Sequence, residues 1–158
     1  IHLRIYFICT INMNNILVRK VKETEIDWVN SKYKEVNFKL SDYKNELIVV
    51  VEVNGEKAGL GRLVSIDENN LELGGIYVFD KYRGIGAADK IVSFLCEANT
   101  DKKSVIWCLP FEKLKDFYKK VAFTINNSLP PKEILRKLEW CNSPENYSEK
   151  VLLLSKII

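Results

Sequence analysis

A seven-residue stretch, YRGIGAA at 82–88, has the residue types and spacing of an anion-binding loop. It lies between a predicted strand and a predicted helix, so the partial positive charge of the helix N-terminus adds to the backbone N–H groups. Arg83 adds a cation with a planar fork of donors. Small side chains, which let a phosphate approach the backbone closely, are present at Gly84, Gly86, Ala87 and Ala88. The stretch therefore predicts a pyrophosphate site.

Glycines at this spacing also occur in two nucleotide-binding motifs and in plain turns. A dinucleotide-binding turn needs G-x-G-x-x-G in a doubly wound fold, but the last position here is Asp89 and the flanking strands form a meander. A Walker A loop needs a following Gly-Lys-Ser/Thr, which is missing. A tight strand-to-helix turn without any ligand accounts for Gly84 and Gly86 equally well. The glycines alone leave the turn and the anion site as open alternatives.

Composition excludes several classes of function. The net charge is only +3, with Lys and Glu interspersed, so we expect no nucleic acid partner. The sole histidine, His2, is near the end of the chain, which argues against Ser-His and Cys-His hydrolases. No C-x-x-C pair occurs, and we expect no metal. The cysteines are Cys9, Cys96, Cys108 and Cys141.

The chain of 158 residues has the size of one domain, which we predict over 13–158. Residues 1–12 are apolar, too short to cross a bilayer, and lack a signal cleavage site, so we expect no membrane partner. We interpret this segment as an upstream extension or an extra strand. A core of this size needs no disulfides, and we therefore expect reduced thiols and a cytoplasmic location.

Hydrophobic periodicity predicts strands alternating with helices. A helix at 84–99 joins strands at 71–79 and 105–109, which must then run parallel to each other. Asn54-Gly55 predicts a type I′ hairpin inside an antiparallel meander. The remaining strands are predicted at 16–21, 47–53, 58–66 and 151–157, and the remaining helices at 23–36, 111–121 and 130–140. The fold class is α+β (mixed α/β): a mostly antiparallel sheet with one parallel strand pair, flanked by helices.

Two motifs resemble those of the Gcn5-related N-acetyltransferases. Arg83-x-x-Gly86-x-Ala88 matches the family signature R/Q-x-x-G-x-G/A, at the strand-to-helix junction where the family has it. The segment FYKKVAF at 117–123 resembles F-Y-x-K-x-G-F, with Ala122 where glycine is usual. The similarity extends over 16–123 in the order of the elements.

This resemblance implies acetyl-CoA as cosubstrate and a sheet whose parallel strands splay apart around its pantetheine arm. Backbone groups of Tyr77 and Val78 are expected to contact the arm, and an N–H near Val78 to stabilise the oxyanion. The pyrophosphate is expected beside Arg83 and Gly84, on the N–H groups of Ile85, Gly86, Ala87 and Ala88.

The resemblance also suggests the groups that move protons. Tyr118 stands where many members have the acid for the departing thiolate, although a tyrosine packed on an apolar helix face is the alternative. Glu72 stands where some members have a glutamate base. The alternatives are that Glu72 is an ordinary exposed strand residue and that a water chain acts as the base. Strand alternation predicts Glu72 on one face with Gly74, Ile76 and Val78. We interpret Cys108 as a buried strand residue rather than a nucleophile.

The implied function is transfer of an acetyl group from acetyl-CoA to a primary amine, by direct attack through a tetrahedral intermediate. The acceptor is expected to be a small molecule or a peptide, and 124–147 is expected to shape its side of the site. A homodimer is left open. The alternative function is a non-catalytic sensor or interaction module that binds CoA or acetyl-CoA.

Overall fold

The computed structural model describes residues 14–98, 105–125 and 128–158. Segment 1–12, interpreted above as an extension or extra strand, lies outside these residues. Six strands form one sheet in which the spatial order equals the sequence order, and only the fourth and fifth run parallel. The strands are β1 Ile16–Lys20, β2 Glu46–Val53, β3 Glu56–Ser65, β4 Asn70–Val78, β5 Val105–Cys108 and β6 Leu154–Ile157.

Four α-helices flank this sheet, and all four begin later than periodicity predicted. They are α1 Ile26–Glu35, α2 Ala87–Glu97, α3 Lys115–Lys120 and α4 Lys132–Asn142. The predicted start of α2 at 84 is displaced because Gly86 has a positive φ of 87° and cannot belong to a right-handed helix. The start of α3 is displaced by the 3-10 turn Glu112–Leu114. The mixed fold with one parallel pair is as predicted.

Each face of the sheet buries a separate apolar cluster. Helices α2 and α3 pack on one face against alternate residues of the strands, including Leu71 and Leu73 of β4. Helix α1 packs on the other face, where Tyr33 and Leu60 are completely buried. We refer to these as the α2 face and the α1 face.

A β-bulge in β4 interrupts the alternation between these faces. Gly74 pairs with Arg62, but Tyr77 pairs with Leu60, so β4 contains one extra residue between the two pairs. Gly75 lies in this bulge with φ of 59°, and its carbonyl accepts a hydrogen bond of 2.9 Å from the Tyr33 hydroxyl. A side chain at Gly75 would have its Cβ 2.5 Å from that hydroxyl oxygen. The bulge therefore requires glycine.

The bulge corrects the expectation that Glu72 shares a face with Ile76 and Val78. Ile76 and Val78 pack on the α2 face with Leu73. Glu72, next to Leu73, points to the opposite α1 face, because the extra residue reverses the alternation after Gly74.

Parallel pairing of β4 with β5 also stops at this point. The paired residues run from Asn70 with Val105 to Leu73 with Cys108, and β4 continues to Val78 without a parallel partner among the described strands. The two strands therefore separate where the bulge begins.

Helices α1 and α3 end in the same capping motif. In α3 the N–H of Phe123 bonds to the Tyr118 carbonyl and the N–H of Ala122 to the Lys119 carbonyl, which defines a Schellman cap. Ala122 has φ of 70°, a conformation that favours glycine. The cap of α1 has the same bonds, with Asn37 at φ of 55° in the corresponding position.

We expect Ala122→Gly to raise the free energy of unfolding by roughly 0.5–1 kcal/mol, because glycine adopts this conformation without the strain that alanine has. Urea denaturation measures the change. The matched control is Asn37→Gly, where the gain should be smaller because asparagine already tolerates a positive φ. A destabilised Ala122→Gly protein would contradict the role assigned to this cap.

Candidate active site

The loop before α2 presents free backbone donors to open space. Gly84 and Gly86 have φ of 81° and 87°, and a Cβ added to either would meet no atom within 4 Å. Helix α2 has 11 residues and no side-chain cap at its N-terminus. The N–H groups at the first turn of any helix lack intrahelical partners, so those of Ala87, Ala88 and Asp89 are available to an anion. This geometry fits a pyrophosphate.

Arg83 lies beside the loop but is not held facing it. Its Nε donates to the carbonyl of Val78 at 3.1 Å and its Nη2 is 3.0 Å from Asp80 Oδ1. Both side chains of this ion pair are mostly exposed, and such pairs contribute little to stability. Arg83 can therefore exchange Asp80 for a phosphate at small cost.

The backbone of Val78 faces the gap left by β5. The N–H of Phe79 bonds to the Ala58 carbonyl, so Val78 and its partner Gly59 form a pair without mutual hydrogen bonds. The N–H and C=O of Val78 consequently point away from β3, and because the C=O accepts from Arg83 Nε, the N–H is the group left for a ligand. Tyr77, opposite Leu60, has its backbone directed at β3 instead. Backbone contact with a pantetheine arm was expected for both residues, but this geometry allows it only for Val78.

One cavity of about 550 Å³ brings both predicted catalytic residues together. Its walls come from the turn after α1, from β3, β4 and the end of β5, and from α3 and α4. Tyr118 and Glu72 both line it, and so does Gly75, the bulge residue of β4. The cavity thus reaches the point where the strands separate, while the glycine loop of α2 lies beyond it.

Tyr118 has the environment of a proton donor. The side chain is 5% exposed, and its hydroxyl donates a hydrogen bond to the sulfur of Cys108. Burial, together with the nearby Cys108, raises the pKa of the phenol well above its usual value, so it stays protonated at neutral pH.

Cys108 does not have the environment of a nucleophile. It is buried at the end of β5, and burial raises the pKa of its thiol, which disfavours the reactive thiolate. The location agrees with the interpretation of Cys108 as a buried strand residue.

Glu72 forms an ion pair that the sequence did not predict. Its Oε1 accepts a hydrogen bond from the ammonium of Lys137, on α4, and the carboxylate is buried. The two residues are 65 positions apart, so no local spacing could have indicated the contact. Helix α4 therefore closes the α1 face of the cavity directly over Glu72.

Two negative findings apply to the described residues. Their helices include none that is long and apolar enough to cross a bilayer. Within 14–98, 105–125 and 128–158, no three His, Cys, Asp or Glu side chains are grouped so that they could hold a metal ion.

A splayed parallel pair beside a glycine loop that opens a helix is the arrangement that the resemblance in the sequence implied. A family model described as the acetyltransferase (GNAT) family matches residues 16–123, well over half of the chain. The chain belongs to the acetyltransferase (GNAT) family. The predicted family and the predicted class of enzyme, an acetyl-CoA-dependent acyltransferase, are therefore confirmed. No curated protein sequence matches the chain.

Solved structures share the fold at low sequence identity. N-acetylglutamate synthase from Neisseria gonorrhoeae, complexed with coenzyme A and L-arginine, matches with TM-score 0.67 and 12% identity over 90% of this chain, which spans only 33% of that protein. Rv2747 from Mycobacterium tuberculosis, in complex with CoA and NLQ, matches with TM-score 0.67 and 17% identity over 90% of this chain and 99% of its own. The structure of yncA, a putative acetyltransferase from Salmonella typhimurium, was solved with acetyl-CoA. It matches with TM-score 0.66 and 14% identity over 90% of this chain and 94% of its own.

We expect Gly86→Glu to weaken CoA binding by roughly 10-fold or more, because the new carboxylate would extend into the space beside the helix N-terminus and repel a phosphate. Isothermal titration calorimetry measures the dissociation constant. Gly55→Glu is the matched control, since Gly55 has φ of 83° and equally open surroundings but lies in the β2–β3 hairpin. An unchanged dissociation constant for Gly86→Glu would reject the pyrophosphate site.

Proposed function

We propose that the chain transfers the acetyl group of acetyl-CoA to a primary amine at the gap between β4 and β5. The observation that carries this proposal is the succession of three features from α2 along the end of β4: free N–H groups at the start of α2, the outward-facing N–H of Val78, and a cavity lined by a protonated Tyr118. These features correspond, in this order, to the diphosphate of acetyl-CoA, to its arm carrying the thioester, and to the acceptor.

The cosubstrate would be held along β4 towards α2. Its pyrophosphate would take the N–H groups of Ile85, Gly86, Ala87 and Ala88, with Arg83 as a cation at the side. Its pantetheine arm would replace β5 as the partner of Val78, whose N–H or that of a neighbour would hydrogen-bond the thioester oxygen as negative charge develops there.

The chemical step would be direct transfer. The amine nitrogen forms a bond to the thioester carbonyl carbon, and collapse of the tetrahedral intermediate breaks the carbon–sulfur bond. The departing thiolate takes the proton of the Tyr118 hydroxyl, and the nitrogen loses a proton to Glu72 or to a water. The Tyr118 phenolate regains its proton from solvent. No oxidant or reductant is needed.

The ion pair with Lys137 bears on the role proposed for Glu72. A carboxylate bound to an ammonium of the protein can instead bind the ammonium of an incoming amine, provided that Lys137 withdraws. If a Glu72→Gln protein keeps wild-type turnover, the base is water and not Glu72.

A small acceptor is favoured over a long peptide by the cavity, which has the volume of a small-molecule site. One of the structural neighbours was solved as a complex with N-acetyl-glutamate, a small acetylated amine. Helix α4 belongs to the segment 124–147 that was expected to shape the acceptor side, and its lining of the cavity supports that expectation. A single domain over 13–158, a cytoplasmic location and a homodimer remain predictions.

The proposed activity is tested by release of free CoA thiol across a panel of amines. We expect acetyl-CoA to raise the melting temperature, because a ligand that binds only the folded state stabilises it, and at least one amine to accelerate thiol release. Stabilisation by acetyl-CoA without thiol release from any amine would instead support the non-catalytic CoA-binding module. Neither stabilisation nor turnover would reject the proposal.

We expect Tyr118→Phe to lower turnover by roughly 10²-fold, with a smaller change in acetyl-CoA affinity, because the phenol proton is needed only as the thiolate leaves. Because its pKa is raised, Tyr118 should cause no alkaline decline in wild-type rate below about pH 10. The control is Tyr147→Phe, which removes another hydroxyl from the wall of the same cavity. Equal effects of the two changes would contradict the assignment of the acid.

A further inference from the structure

Arg62 is a charged side chain enclosed in the fold at the cavity wall. It is 5% exposed, on the α1 face of β3, and its Cα is paired with Gly74, one residue before the bulge. Its Nη1 donates to the carbonyl of Lys39 and to the hydroxyl of Ser41, both at 2.7 Å. The guanidinium also lies over the ring of Tyr33, 4.6 Å from its centroid. These contacts hold the group in place, and they are all neutral.

The charge of Arg62 has no counterion within the described part of the chain, where no carboxylate oxygen lies within 4 Å of it. Arg19 is the contrast, since it is more exposed but contacts both Glu25 and Glu52 at 2.8–2.9 Å. Removing a charge from water is costly, and enclosed charges in proteins are usually paired. A guanidinium that is buried, fixed and unpaired at the wall of a cavity is therefore suited to a ligand with the opposite charge.

The acidic residues near Arg62 do not form an ion pair with it. Glu46 and Glu72 occupy diagonal positions across the sheet from it, because both are aligned with Val64. Glu72 is paired with Lys137. The Oε2 atom of Glu46 is buried and has no hydrogen-bond partner among the described residues. The floor of the cavity thus has an unpaired cation next to an unsatisfied acceptor.

We propose that Arg62 binds the carboxylate of the acceptor, so that the acceptor is a small amino acid rather than a simple amine. Two of the five guanidinium donors lie on Nη2 and one on Nε, and a planar fork of this kind binds a carboxylate with two parallel hydrogen bonds. A phosphate can also accept two hydrogen bonds from this fork, but its second charge would be repelled more strongly by Glu46 and Glu72. Arg62 and the bulge are on neighbouring strands, so the amine and the carboxylate would be separated by only a few bonds. This inference rests on the proposed acetyl transfer.

The test compares each amino acid with its own carboxamide, which differs only in the absence of the negative charge. Glycine, leucine and phenylalanine are each paired with their amides, and kcat/KM is expressed per free amine because the carboxylate raises the pKa of the amine. For at least one pair, we expect wild-type protein to prefer the acid by roughly 10²-fold. In Arg62→Gln the preference should fall close to 1, and in Arg62→Lys it should be intermediate.

Arg19→Gln is the control for loss of an arginine from the same sheet, and its acid-to-amide ratio should equal that of wild type. If Arg62→Gln does not fold, the wild-type ratio alone decides, because a ratio near 1 for every pair would overturn the inference. An unchanged ratio in folded Arg62→Gln would overturn it as well.

A binding measurement separates this inference from the proposed activity. Calorimetric titration of wild-type protein with N-acetylleucine and with its amide needs no turnover, and we expect tighter binding of the acid. If CoA thiol is released with amines that lack a carboxylate but not with amino acids, the role of Arg62 is rejected and the proposed acetyl transfer still stands. Absence of both CoA binding and thiol release would reject acetyl transfer. If N-acetylleucine and its amide also bind equally, the role of Arg62 is rejected too.

Discussion

The hydrogen bond from the Tyr33 hydroxyl to the Gly75 carbonyl holds the feature on which the site depends. It fixes the bulge that adds one residue to β4, and the bulge has two consequences. Parallel pairing with β5 ends just before it, which opens the gap. The side chains of β4 also exchange faces, so that Glu72 and Val78 lie on opposite sides of the sheet. A regular strand would have neither the gap nor this distribution of groups.

The reversal divides the chemistry of the cavity between two environments. Tyr118 and Cys108 belong to the apolar cluster of the α2 face, where burial favours the neutral, protonated phenol. Glu72 and Arg62 lie on the α1 face, where charges are held by specific contacts with α4 and with the turn after α1. The proposed acid and the proposed acceptor site thus reach the one cavity from opposite faces of the strand that would carry the thioester.

Local patterns were sufficient to predict most of the fold. The Asn54-Gly55 turn has φ of 52° and 83°, both positive as a type I′ turn requires, because that preference belongs to the two residues themselves. The glycine loop before α2 was predictable for the same reason. The repeated cap was also present in the sequence, as YKEVNF at 33–38 and YKKVAF at 118–123, and comparison of these segments would have revealed it.

The features that were missed depend on contacts between distant segments. The bulge depends on Tyr33, 42 residues before Gly75, and strand alternation therefore gave the wrong face for Ile76 and Val78 relative to Glu72. The partner of Glu72 is 65 residues away. The isolation of Arg62 is a property of the folded arrangement, because Glu46 and Glu72 are near in register but do not contact it. Residue types suggest such sites, but only the register of the strands determines them.

A crystal structure of the complex with CoA tests the central claim most directly. The account predicts a pantetheine arm between β4 and β5, hydrogen-bonded to the backbone of Val78, with the pyrophosphate on the N–H groups that open α2. CoA bound elsewhere, or a β5 that closes against β4 beyond Leu73 and fills the gap, would contradict it.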